Sequence, residues 1–182
     1  MISVSVCITD CCRSIPHLST SLVGHIQKNL SSDVAEVRSL AVLSIKHLVA
    51  SGFLDFDVSF KVMKKQGLLN LSEQSEPIIT KAIIEFLGEG TDRTKDDEDR
   101  DYRLEPVKVT KCGASAVTML LDFVDSFDNV KGGDSALLHN LAHETIQKYE
   151  EALFDCVLLG NEQRSVEHYR GAISELKNNN ML

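Results

Sequence analysis

The amino-acid sequence predicts an all-α fold built from antiparallel helix pairs stacked side by side and ending in a long helical hairpin. Three observations carry this. Apolar residues recur at helical spacing through most of the 182 positions. Turn-forming residues are scarce, with three Pro and ten Gly, too few for the many short connections of a sandwich or barrel. Breaks between the periodic stretches are short and polar, as connections within helix pairs are.

The first fifteen residues read two ways. Ile2, Val4, Val6 and Ile8 alternate as in a strand, whereas Val4, Ile8, Cys11, Cys12 and Ile15 share a helical face. A strand would have no partner elsewhere, so a helix is expected. From Pro16 to Ala50 two further helices are expected, the first carrying Leu18, Leu22, Ile26 and Leu30 inward, the second Val37, Ala41, Ile45 and Leu48. The turn Ser31-Ser32-Asp33 offers an N-cap to the second, Glu36 suits its first turn, and Gly52 ends it. The next helix starts at Asp55 or Asp57, buries Phe56, Phe60 and Met63, and ends before Gly67. Its partner runs from about Glu76 to Leu87, with Pro77 in the first turn.

Residues 89–107 are mostly charged and close on Pro106 and Val107, which marks an exposed acidic loop between residues 1–88 and 108–182. A helix over Val109–Phe127, a break at Gly132-Gly133, a long helix from Ser135 to Leu159 and a last one from Glu162 to about Lys177 follow. The long helix carries the stripe Leu138, Leu141, Thr145, Tyr149, Ala152, Cys156 and Leu159. With its neighbour it is expected to form the closing hairpin, whose wide stripe is also a route to a homo-oligomer.

The segment Asp33-Val34-Ala35-Glu36-Val37-Arg38-Ser39-Leu40-Ala41, continuing to Ile45 and Leu48, resembles the second helix of a HEAT repeat, which opens with Asp, then a Val-Arg pair, then a small residue. An echo lies 41 residues on, where Pro77, Ile78, Ala82 and Phe86 fall in register with Glu36, Val37, Ala41 and Ile45. The resemblance covers about residues 2–88 and implies a HEAT-like α-α superhelix of the HEAT/armadillo type, with Asp33 and Arg38 linking adjacent repeats. Within this class, the stretch from Gly67 through Pro77 to Leu87 is similar to the C-terminal part of the HEAT-repeat ATM activator of the DNA-damage response.

The function expected from these features is a non-catalytic scaffold or adaptor that binds other proteins, as one end of a longer solenoid would. Arg38, Lys46, Lys61, Lys64 and Lys65 are the candidates for touching an acidic partner. The formal charge of −8 argues against a nucleic-acid backbone as the main ligand, and no apolar run approaches the roughly twenty residues of a membrane span. The N-terminus lacks a basic leader, and the five cysteines show no paired spacing, so an intracellular protein with free thiols is expected.

The alternative is a metal-binding helical protein using His139 and His143, four apart on one helix and followed by Glu144. Against it, His139-Asn140-Leu141-Ala142-His143 lacks the general-base Glu of HExxH. Cys7, Cys11 and Cys12 lack a fourth ligand, and in the acidic loop Tyr102 and Lys108 stand where an EF-hand needs Gly and Glu. No phosphate-binding loop, nucleophile elbow or dinucleotide fingerprint occurs, so no cofactor is expected.

Overall fold

The computed structural model describes residues 1–71, 76–92, 108–126 and 133–158. The fold is all-α. Eight α-helices follow one another among these residues: α1 (Ile2–Ser14), α2 (Pro16–Ser19), α3 (Val23–Asn29), α4 (Ala35–Ala50), α5 (Phe56–Lys65), α6 (Pro77–Leu87), α7 (Gly113–Ser126) and α8 (Gly133–Leu158). Helix α4 packs on α1 along one side and on α6 along the other, and α6 packs in turn on α8. Shorter helices sit against this row: α3 on α4, and α7 on both α6 and α8.

Each helix forms where its sequence supplies start, stripe and stop. Helix α4 buries Val37, Ala41, Ile45 and Leu48 as its periodicity predicts. It closes at Gly52, whose φ of +69° only glycine adopts without strain, and the Phe53 amide then donates to the Leu48 carbonyl at 2.9 Å. Helix α5 opens on Asp55, whose carboxylate accepts from the Val58 amide at 2.8 Å, and buries Phe56, Phe60 and Met63. Helix α6 has Pro77 in its first turn and is buried almost all round, with Ile79, Ile83, Ile84, Phe86 and Leu87 inaccessible to solvent. That is the composition of a helix with neighbours on most sides, open along Ile78, Lys81 and Glu85.

Several expectations change. Residues 2–14 are helical, but the buried face is Ser5, Thr9 and Cys12; Val4 is 63% and Ile15 40% exposed. The hydrogen bonds explain the choice. Thr9 Oγ1 lies 3.1 Å from the Leu40 carbonyl and 2.9 Å from Ser44 Oγ on α4, and Asn29 donates to Ser5 Oγ at 3.2 Å. The helix expected from Pro16 to Leu30 is broken at residues 20–22, and Leu18 is 61% exposed. Serine hydroxyls there bond local backbone, Ser19 to the Ile15 carbonyl and Ser21 to that of Leu18, which competes with continuous helix.

Helix α4 has Val34 rather than Asp33 at its N-cap, with no side-chain cap; Ser32 Oγ accepts from the Val34 amide instead. Arg38 donates to the Ser32 carbonyl inside the same turn, so the described contact is local and does not span repeats. In α6, Ala82 and Phe86 are buried like Ala41 and Ile45, but Ile78 is exposed where Val37 is buried. The charged loop does not begin at residue 89: residues 88–90 form a buried 3₁₀ turn, and strand β1 (Thr91–Asp92) pairs antiparallel with β2 (Lys108–Val109). Val109 therefore belongs to a strand, and α7 starts at Gly113, whose amide donates to Thr110 Oγ1 at 3.0 Å. The acidic residues 93–107, the expected helix from Glu162 to Lys177 and so the hairpin lie outside the described residues.

The row is locked at a crowded junction. Tyr149 on α8 is buried and its hydroxyl donates to the Leu87 carbonyl at the end of α6. Beneath it Phe56 stacks on Phe86 with ring centroids 5.0 Å apart, and Gly90 fits between because it has no side chain. The Thr110 amide donates to the Gly90 carbonyl at 2.9 Å and the Cys112 amide to Asp57 at 3.1 Å, which ties the start of α7 to this junction and to α5.

Candidate functional site

Between α4 and α6 the row leaves a half-open groove of about 270 Å³. Its floor is Leu40 and Leu43 from α4 and Ile78 and Ala82 from α6, one helical turn apart on each side. Ala82 has the smallest side chain on this floor. The Ser39 hydroxyl, buried, donates to the Ile78 carbonyl at 3.1 Å and fixes the two walls relative to one another.

Charged residues border the apolar floor. Lys46 of α4 and Glu85 of α6 meet at 3.0 Å, each side chain about three quarters withdrawn from solvent, and close one end of the groove. Glu36 on α4 and Lys81 on α6 are exposed and form no ion pair among the described residues. The groove thus offers a negative charge on one wall and a positive charge on the other, above a floor sized for one or two aliphatic side chains. It lies at the small end for a cofactor pocket, and no histidine or cysteine lines it.

The candidates read from sequence fall in separate places. Arg38 and Lys46 are half-buried and already have partners within the chain, whereas Lys61, Lys64 and Lys65 are exposed along the end of α5. His139 and His143 do share a face of α8, their rings edge to face with centroids 4.5 Å apart. Burial first, and His139 second, hold the His143 imidazole below its ordinary pKa. Among the described residues, however, no three His, Cys, Asp or Glu side chains come together as a metal site requires, and Glu144 points no third ligand at the pair. Cys12 is buried beneath α4, and burial raises its thiol pKa; Cys7 is exposed and Cys11 half-buried, so the three do not converge.

Sequence reasoning missed the groove itself. Its floor joins residues 40–43 to 78–82, and only the packing of α4 on α6 brings them together. The echo of α4 in α6 contained the signal, because Ala41 and Ala82 occupy equivalent places.

Among the described residues no helix is long and apolar enough to cross a membrane. A family model described as Focadhesin/RST1, DUF3730 matches residues 1–128. No curated protein and no solved structure matches the chain. The match spans well over half of the sequence, and the chain belongs to that family of helical HEAT-like repeat proteins. The narrower likeness to the ATM activator finds no support in it.

Proposed function

We propose that this member of the Focadhesin/RST1 DUF3730 family is a non-catalytic scaffold that holds a partner protein in the α4–α6 groove. The observation that carries the reading is the groove's composition, an apolar floor under an exposed carboxylate and an exposed amine on opposite walls, neither in an ion pair among the described residues. Stacked helix pairs bind partners through such inter-helix grooves. The matching ligand is a helical or extended peptide with one or two aliphatic side chains, a basic residue toward Glu36 and an acidic residue toward Lys81. Opposite charges on the two walls would fix its direction. Lys61, Lys64 and Lys65 are a second contact for an acidic part of the same partner. Its place of action in this proposal is intracellular, which suits the free thiols of Cys7, Cys11, Cys12 and Cys112.

The test is selection of displayed random peptides on the full chain. The expected outcome is enrichment of sequences with an aliphatic core flanked by opposite charges, and loss of that binding in a Leu43→Asp variant that retains its helical circular dichroism. Selected peptides that bind the Leu43→Asp variant as well as the wild type would refute the groove as the site.

A further inference from the structure

The outer flank of α1 carries an apolar stripe that the described fold covers only in part, Ile8 touching the core and the residues at its two ends open. Val4, Ile8, Cys11 and Ile15 recur at intervals of four, three and four residues, which places them along one side of the helix. Val4 and Ile15 are exposed, Ile8 and Cys11 half-buried, and Leu18 just beyond is exposed as well. Helix α1 does not need this stripe to hold its place, because it packs on α4 through Ser5, Thr9 and Cys12. In the row, α4 and α6 each have a long helix on both sides, whereas α1 has α4 on one side and only the short α2 and α3 elsewhere, so it is one edge of the row among the described residues.

From this geometry we infer that the stripe is the contact between two copies of this chain, with α1 packed antiparallel on α1 across a twofold axis. Three features select a second copy as the occupant. The spacing of four, three and four reads the same in both directions, so an antiparallel pair places Val4 opposite Ile15 of the second copy and Ile8 opposite Cys11, and the stripe is complementary to itself. The flank bears no charge: Asp10 and Arg13, the charged residues of α1, pair with each other at 2.8 Å on a different side of the helix. The chain as a whole carries −8, whereas residues 1–30 contain only Asp10, Arg13 and Lys28 as charged side chains apart from histidine. Two acidic chains meeting at α1 therefore avoid the repulsion that their acidic faces would impose.

One short helix from each chain buries less than the roughly 1,200 Å² of a standard interface, which puts the dimer among weak, reversible associations. Sedimentation equilibrium of the full chain over a concentration series reaching about 100 μM tests this. The expected result is a mass rising toward twice the 20.1 kDa of one chain. Val4→Asp weakens association at least about tenfold without changing the circular dichroism, since that side chain is exposed, and adding Ile15→Lys restores it because the new charges face each other across the axis. A Leu137→Asp control on α8, where the native side chain is also exposed, leaves the mass unchanged. A wild-type chain that stays at 20.1 kDa throughout overturns the inference and leaves the stripe to a helix of another protein. A dimer that persists in Val4→Asp overturns it equally.

Discussion

Replacing Gly90 by Ala tests the junction where α6, α5 and α8 meet. A Cβ on Gly90 would stand 2.9 Å from Cε1 and Cζ of Phe56 and nearer still to the Tyr149 hydroxyl, whereas carbons pack best at about 3.5–4.0 Å. Neither neighbour can step aside. Phe56 is buried between Phe86 and Phe60, at ring separations of 5.0 and 5.8 Å, and the tyrosine is held by the Leu87 carbonyl. Overpacking of this kind costs about 1–3 kcal/mol, and losing the tyrosine hydrogen bond adds about 1 kcal/mol, so a destabilisation of about 2–4 kcal/mol is expected. Urea unfolding followed by far-UV circular dichroism would show the midpoint falling by about 1 M or more. A double-mutant cycle with Tyr149→Phe sharpens the assay. Removing the hydroxyl costs about 1 kcal/mol in the native background but less beside the added methyl, because it also relieves the clash. A Gly90→Ala loss under about 0.5 kcal/mol, or two effects that simply add, would refute the crowding argument.

Two further outcomes are expected. Native labelling with iodoacetamide, followed by mass spectrometry, should modify Cys7 well before Cys12, because Cys7 is exposed while burial both shields the Cys12 thiol and raises its pKa; equal rates would contradict the placement of α1 on α4. Burial lowers the pKa of His47, aided by Lys46 and Arg13, and that of His143, aided by His139, so the unfolded chain binds these protons more readily than the folded one. Their contribution to stability is present above the ordinary histidine value of about 6.5 and is lost as pH falls below it, so the thermal midpoint should drop between about pH 7 and 5, and drop less in His143→Gln.

The helices were legible wherever apolar spacing, a cap and a glycine agreed. The α4 stripe of Val37, Ala41, Ile45 and Leu48, the Asp55 cap and the Gly52 stop all stand where the pattern puts them. Pattern reading failed where burial was decided by hydrogen bonding. On α1 it chose Val4 and Ile15, but the fold buries Ser5 and Thr9 because their hydroxyls have partners on α3 and α4, which a count of apolar residues cannot register. Leu18 was read as core for the same reason, since nothing in its spacing reveals that Ser19 and Ser21 break the helix around it. The candidate site was legible only in part. Lys46 was singled out, but its pairing with Glu85 and the groove beside it depend on a contact between residues some forty positions apart.

The two-residue ladder of β1 and β2 bears on how this protein can be handled. Thr91 lies opposite Val109 and Asp92 opposite Lys108, so the chain leaves the helical row and re-enters it at neighbouring points. Whatever joins those points does not have to span the molecule, and lengthening it adds only about 0.6 kcal/mol of closure entropy for each doubling. A fluorescent reporter or an affinity tag inserted between Asp92 and Lys108 would therefore hang from two neighbouring points of the ladder, which packs against α8. The position gives experimenters a handle for following the protein without cutting any of its described helices.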